Sequence, residues 1–478
     1  MKYHKLVLSS VMMSLIMAGC AVPGDIHTHN SLLSSSALSS SKTLGSSSVS
    51  QANWPTQQWW TQMGDPALTQ LINEALKNSP SMQVAQARLD QARASVDAAD
   101  ALLYPTLTGS ASITRAKESR YEDPLLQGDT FGTLRSLGTT FSYDFDLWGG
   151  KRAAWEASVS AEKAAEVDHQ AARIALSTSI ASTYSTLANA YVLADLADRN
   201  YARTQQIESI TANLLKSGLT SQDKLLTAQS AVSSAKQQIQ QRALAIKQIK
   251  NGLSTLLGEG PDRALTIARP KLALNRNLGL PANLPAELLS HRPDITAAKW
   301  RVEAAAKNID VAKARFYPDF NLTAMAGFKS VLGDAVFADI SQSASITPAI
   351  SLPIFMPGLK ANLKEQTASY DAAVATYNQT LVNALGDVSD NVLVLQSIQQ
   401  QIDQANQSVD FASRAYDISE KRYNAGLGSQ LDVLSTEQQL LQAELEEANL
   451  RQTQQDHIIA LVKSLGGGFQ PTAQTTSK

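Results

Sequence analysis

Few residues in this chain have the type and spacing for chemistry. Its only thiol is Cys20, and six histidines are scattered over 478 residues. A single cysteine rules out an intrachain disulfide and a cysteine zinc site. His27 and His29 lie in the tether that follows Cys20, and no metal is expected there. There is no Walker loop to cradle nucleotide phosphates and no Gly-x-Ser-x-Gly nucleophile elbow. Gly426-Leu427-Gly428 begins like a dinucleotide fingerprint but lacks the third Gly and a preceding strand. Asp387 and Asp390, beside Gly386, read as a solvated helix face. The chain is therefore not read as an enzyme, and no cofactor is expected. Lys+Arg is 41 and Asp+Glu 43, for a net charge of -2. That balance gives no basic footprint and no nucleic-acid partner.

The residues before Cys20 indicate what its thiol is for. Lys2 and Lys5 precede an apolar run, Leu6 to Met17, followed by Ala18 and Gly19. This is the layout of a secretory signal peptide, too short to span a membrane. Met17-Ala18-Gly19-Cys20 resembles a bacterial lipobox. The resemblance implies cleavage before Cys20 and lipidation of its thiol. Ala21, where an Asp would imply retention at the inner membrane, implies export to the outer membrane. The Ser-rich tract from Ser31 to Ser50 reads as a flexible tether. Trp54, Trp59 and Trp60 then read as packing anchors at the start of the folded body. No other segment has eighteen consecutive apolar residues, so any membrane crossing requires a closed β-barrel.

The elements that remain are duplicated. Pro80 and Pro105 are repeated as Pro293 and Pro318, and Tyr104-Pro105 as Tyr317-Pro318, at an offset of 213. Gly218-Leu219-Thr220-Ser221-Gln222 returns as Gly426-Leu427-Gly428-Ser429-Gln430, and Leu257-Gly258 as Leu465-Gly466, at an offset of 208. Each copy predicts a helix (about Ser81 to Leu103; about Asp294 to Phe316) closed by a proline. Two alternating segments follow. Leu107, Gly109, Ala111 and Ile113 alternate with Thr and Ser. Phe141, Tyr143, Phe145 and Leu147 alternate with Ser142, Asp144 and Asp146. The second copy gives Phe320 to Phe328, then Ile346, Ile350 and Leu352. Period two separates an apolar from a polar face, as in an ordinary sheet over a soluble core or in a barrel with lipid outside and a lumen inside; the export signal and the long helices favour the barrel. Between Gly150 and Gly218 lie 67 residues without Gly or Pro, and the equivalent stretch from Gly358 to Gly426 is interrupted only by Gly386. As a helix each would reach roughly 100 Å. Beyond Gly218 a second helix repeats every seven residues at Leu225, Val232, Ile239, Ile246 and Leu253, the mark of helices packed side by side. Four strands cannot close a barrel, for which about eight are needed, so the chain must oligomerise.

Together the lipobox, the duplicated Tyr-Pro landmarks, Asp146-Leu147-Trp148-Gly149, Leu352-Pro353-Ile354-Phe355 and Leu465-Gly466-Gly467-Gly468 resemble the outer-membrane factor family. These are the TolC/OprM-like channels of tripartite efflux systems, in their NodT-type lipoprotein branch. The resemblance implies a mixed α and β membrane protein with an internal duplication. It implies a homotrimer whose 12-stranded outer-membrane β-barrel, four strands per chain, is continued by a long periplasmic α-helical barrel. It implies a periplasmic adaptor (membrane fusion) protein and an inner-membrane pump of the resistance-nodulation-division type. The family's adaptor-contacting tips map onto Ser217, Gly218 and Leu219 and onto Ala425, Gly426 and Leu427. Its acidic periplasmic gate maps onto Asp432. The second acid of the family's gate is replaced by Ser435, and the copy-one equivalent of Asp432 is Lys224, expected to pair with a neighbouring acid in a closed state.

The expected organisation is a lipoprotein signal peptide over 1–19 and a lipidated Cys20 with its tether over 20–53. A first repeat covers 54–260, a linker or equatorial segment 261–292, a second repeat 293–468 and a polar tail 469–478. The function implied is a passive outer-membrane channel exporting drugs or other small toxic compounds, lipid-anchored at Cys20. The alternative is the outer-membrane channel of a one-step (type I) protein secretion system. A pore-less coiled-coil lipoprotein is disfavoured by the alternating segments, and a periplasmic hydrolase by the missing catalytic cluster.

Overall fold

The structure, a computed structural model, describes residues 27–33, 54–117, 131–272, 291–331 and 335–470. Cys20 and the signal peptide lie outside the described residues, as do most of the tether and of the linker. One order of elements occurs twice. After a helix α1 (Pro66–Asn78), the first pass is α2 (Pro80–Ala101), β1 (Thr106–Lys117), β2 (Phe131–Phe145), α3 (Gly150–Lys216) and α4 (Gln222–Leu257). The second is α5 (Pro293–Ala314), β3 (Asp319–Ser330), β4 (Gln342–Ser351), α6 (Pro357–Asn424) and α7 (Gln430–Ser464). Pro80 and Pro293 are the first residues of their helices, where a missing N–H costs nothing. The helices α3 and α6 run unbroken for 67 and 68 residues. Gly386 does not interrupt α6: a mid-helix Gly costs only about 1 kcal/mol, little against the packing of so long a helix.

The described chain divides into two compact units. One holds Leu89–Ala165 and Ala298–Tyr377 with residues 27–32. It contains an antiparallel sheet in the order β1-β2-β3-β4. The register sorts its side chains by chemistry. Leu107, Phe141, Ala324 and Ile346 form one cross-strand row, and Phe145, Phe320 and Ile350 another on the same face. The opposite face carries Thr106, Ser142, Thr323 and Thr347, then Thr108, Thr140, Met325 and Ser345. In a single chain the apolar face has nothing to cover it: Leu107 and Ile346 are 72% and 76% exposed. Every residue of β1 and β4 is exposed, and each presents an unpaired edge. A sheet with an uncovered apolar face, a polar reverse face and two open edges suits lipid outside, a lumen inside and neighbouring copies at both edges.

The other unit has a conventional core. Trp59 and Trp60 are buried with Leu68 and Ile72 of α1, Ile180, Tyr184 and Leu187 of α3, and Leu253 and Leu257 of α4. Trp54 stacks on His291, with ring centroids 4.1 Å apart. Asp65 caps α1 through the Ala67 N–H and also accepts from the Tyr184 hydroxyl at 2.8 Å and the Lys271 N–H at 2.7 Å. After α7 the chain turns through Gly466, Gly467 and Gly468, all with positive φ. A Cβ on Gly466 would lie 1.8 Å from the His291 carbonyl oxygen, and one on Gly468 2.1 Å from that of Thr56. Only glycine fits this crossing.

Several local expectations shift. The helix α1 and the turn Trp59–Met63 were not anticipated, because neither carries a repeat landmark. β2 begins at Phe131 and ends at Phe145, so Leu147 lies beyond it; β4 ends at Ser351, short of Leu352. The linker includes a single helical turn, Arg263–Thr266. Part of the expected flexible tether is docked: the His29 and Asn30 N–H groups donate to the Asp371 carboxylate of α6 at 2.9 and 3.1 Å.

Candidate functional site

The two helix reversals are built alike. At the first, the Leu219 N–H donates to Leu214 O at 2.8 Å and the Gly218 N–H to Leu215 O at 3.0 Å. At the second, the Leu427 N–H donates to Arg422 O at 2.8 Å and the Gly426 N–H to Tyr423 O at 2.9 Å. This paired bonding closes the last helical turn and requires a left-handed residue, supplied by Gly218 at φ 71 and Gly426 at φ 72. The leucine that follows is left without a hydrophobic partner: Leu219 and Leu427 are each 72% exposed. Ser217 and Ala425 are exposed beside them. The six tip residues thus form two matching knobs, each a small residue, a glycine and an outward leucine.

The acid past the second tip has a local tie. Ser429 and Asp432 form a reciprocal capping box at the start of α7: the Ser429 N–H donates to Asp432 Oδ2 at 3.0 Å, and the Asp432 N–H to Ser429 Oγ at 3.2 Å. The bonds from Ser429 hold the Asp432 carboxyl below the ordinary carboxylate range, so it stays charged. Ser435, one turn further on, is exposed and adds no charge. At α4 the box is broken by Lys224. There the Ser221 side chain holds Asp223, one residue earlier, below its ordinary range. Lys224 is exposed, and its charge also helps to lower the neighbouring Asp223. The structure thus places both knobs, one charged acid beside the second of them, and Lys224 next to Asp223 beside the first. Behind the acid, Arg203 of α3 is buried and donates to Leu434 O of α7 at 3.4 Å and to Asn200 Oδ1 at 3.0 Å. Sequence reading missed Arg203 because a lone Arg on a heptad helix carries no local signal. The Ser429-x-x-Asp432 spacing, by contrast, was a readable capping box.

Within the first unit, where β2 gives way to α3, Asp146 explains the Asp-Leu-Trp-Gly motif. Its carboxylate accepts the Lys151 and Arg152 N–H groups at 3.0 and 2.8 Å, capping α3. Trp148 stacks on Tyr317, centroids 4.7 Å apart, and its indole N–H donates to Pro318 O at 2.7 Å. The two copies are joined here, at the level where the strands begin and end. Among the described residues no helix is long and apolar enough to cross a membrane, and no group of three His, Cys, Asp or Glu side chains is placed to hold a metal ion.

The model of the outer membrane efflux protein family matches residues 71–259 and 284–467. The chain belongs to this family. Within it, the fusaric acid resistance protein FusA of Burkholderia cepacia is 33% identical over 377 residues, 77% of this chain and 70% of FusA. The outer membrane protein VceC of Vibrio cholerae superposes with a TM-score of 0.79 at 37% identity, covering 87% of this chain and 100% of VceC. The CmeC outer membrane channel of Campylobacter jejuni gives a TM-score of 0.85 at 27% identity, covering 93% and 95%. The solved efflux channels are trimers with a β-barrel and an α-helical barrel. In such a trimer the open edges of β1 and β4 meet those of neighbouring copies and the uncovered face meets lipid, as the sheet requires. The fold class, the outer-membrane location and the role as an efflux channel are those read from the sequence.

Proposed function

We propose that this chain is the passive outlet of a tripartite efflux system for small toxic compounds. In this reading it docks a periplasmic adaptor through its two helical tips, with an inner-membrane pump of the resistance-nodulation-division type behind it. The observation that carries the docking is the pair of matching knobs, whose exposed Leu219 and Leu427 sit on turns that only glycine forms cheaply. Six such knobs in a trimer present a repeated apolar pattern to a ring of adaptor molecules. Asp432 supplies one fixed negative charge per copy beside the tip; three together favour cations and resist close approach of the tips. Export of small compounds is supported by FusA, a protein named for fusaric acid resistance.

Lipidation of Cys20 completes the proposal, and chain length supports it. His29 and Asn30 are bonded to Asp371, fourteen residues into α6 from Pro357, next to the strand ends. That is about 21 Å of helix. The nine residues from Cys20 to His29 reach up to about 30 Å when extended, enough to bring the lipid to the foot of the sheet.

The test compares dye and antibiotic accumulation in cells lacking the gene, cells complemented with it, and cells carrying Gly426→Trp or Gly426→Ala. A Cβ at Gly426 meets nothing within 4 Å, so the Ala variant isolates backbone strain and the Trp variant adds bulk facing the adaptor. Accumulation is expected to rise in the deletion and the Trp variant and to stay near wild type in the Ala variant. Equal accumulation in the deletion and the complemented cells across a broad panel, with the protein present in the outer membrane of the complemented cells, would overturn efflux in favour of secretion.

A further inference from the structure

At the foot of the sheet, within the first unit, lies a cavity of about 400 Å³ that the channel function does not use. Its walls are the start of α3 and the end of α5. The stacked Trp148 and Tyr317 form its aromatic side. Arg152, Lys307 and Lys313 face it together with Glu156 and Asp310, one positive charge in excess. Glu156 is already committed: Lys307 Nζ lies 2.6 Å and Arg152 Nε 3.5 Å from its carboxylate. Lys307, foremost through that bond, holds the Glu156 carboxyl below its ordinary range, and Lys307 itself is raised. Lys313 is exposed and makes no ion pair among the described residues. Bare apolar side chains flank the strands at this end of the sheet. Ile354 and Phe355 are 89% and 90% exposed, and Leu102, Tyr104 and Leu147 are exposed as well.

A cationic pocket with an aromatic wall, at the end of the sheet where bare aliphatic and aromatic side chains flank β1, β2 and β4 along the chain, matches an amphipathic anion. We infer that this cavity binds the phosphodiester headgroup of an anionic phospholipid of the inner leaflet, between Arg152 and Lys313, with its acyl chains against Leu147, Ile354 and Phe355. The site rests on the placement of the sheet in the outer membrane and needs neither adaptor nor pump. One copy per protomer would hold three lipids in a ring around the base of the barrel.

The test is native mass spectrometry of the full-length trimer in non-ionic detergent. It is given phosphatidylglycerol, phosphatidylcholine with the same acyl chains, or glycerol 3-phosphate without chains. One effective charge at a lipid surface corresponds to about fivefold, so phosphatidylglycerol should be retained about fivefold over phosphatidylcholine. Arg152→Gln with Lys313→Gln should bring the two lipids level, while Lys77→Gln, on α1, should change nothing. Equal retention of both lipids by the wild type, or an unchanged preference in the double variant, would overturn the site. Displacement by glycerol 3-phosphate at equal concentration would make it a free-phosphate site and also overturn the inference. The spectrum reports the trimer mass directly; if the double variant does not assemble, Lys313→Gln alone, which breaks no ion pair, is read instead, with a reduced preference expected. Lost lipid preference alongside intact drug export would leave the efflux reading standing.

Discussion

Asp65 gathers three donors in the core, and its removal should cost more than any one of them. The carboxylate accepts the Ala67 N–H, the Tyr184 hydroxyl and the Lys271 N–H, at 2.9, 2.8 and 2.7 Å. Tyr184 is only 1% exposed, so its hydroxyl has no water to turn to. Asp65→Ala loses a helix cap, about 1 kcal/mol. It also strands the Tyr184 hydroxyl and the Lys271 N–H, at about 1–3 kcal/mol each. The total is on the order of 3–7 kcal/mol. Tyr184→Phe removes one donor and leaves Asp65 two others, at a cost of about 1–2 kcal/mol. The double variant strands no hydroxyl, so it should be less destabilised than the sum by about 1–2 kcal/mol. Urea unfolding followed by tryptophan fluorescence, with Trp59 and Trp60 in the same core, reads this cycle. Additivity within about 0.5 kcal/mol, or an Asp65→Ala variant as stable as wild type, would refute the reasoning. The node also has a pH signature. Burial works to raise the Asp65 carboxyl, but the Lys271, Tyr184 and Ala67 bonds outweigh it and leave the pKa below its ordinary 3.8. A depressed folded pKa contributes stability that is fully present above that ordinary value and lost as pH falls through the lower folded one. Asp65→Asn should therefore flatten the acid limb of the stability curve below about pH 4.

Three further outcomes follow from the geometry. Gly466→Ala should abolish trimer accumulation, since its Cβ would overlap the His291 carbonyl, whereas Gly218→Ala should cost only the left-handed strain of about 1–2 kcal/mol; trimer yield on semi-native gels separates them. Asp432→Asn should lower cation selectivity in planar-bilayer recordings. The wild-type selectivity should persist as pH falls from 7 to about 5, because the Ser429 bonds hold the acid ionised there. Asp146→Ala should destabilise by about 1–2 kcal/mol through loss of the α3 cap, read as a lower thermal midpoint with unchanged far-UV circular dichroism.

Much of this fold was legible because its signals are local and periodic. The prolines at 80 and 293, the long stretches free of Gly and Pro, the alternation of Leu107 to Ile113 and the glycines at 218 and 426 each act through backbone geometry within a few residues. Repetition at a nearly constant offset then turned weak signals into a duplicated plan, and four amphipathic strands with no soluble partner implied a membrane and other copies of the chain. The signals that failed were non-local. Nothing in the sequence tells that Asp65 meets Tyr184, 119 positions away, or that Arg203 reaches the Leu434 carbonyl. The exclusion of side chains at Gly466 depends on His291 passing within contact distance. Strand ends moved by several residues because the register with β3, not the hydrophobic pattern of β2, decides how far β2 stays paired. The cationic pocket needed both Trp148 and Tyr317, whose motifs were read as separate landmarks of two copies. The sequence determined the elements and their duplication, since these depend on neighbours along the chain. Tertiary structure alone decided which charges are paired, which carbonyls are crowded and which side chains share a cavity, since these depend on neighbours in space.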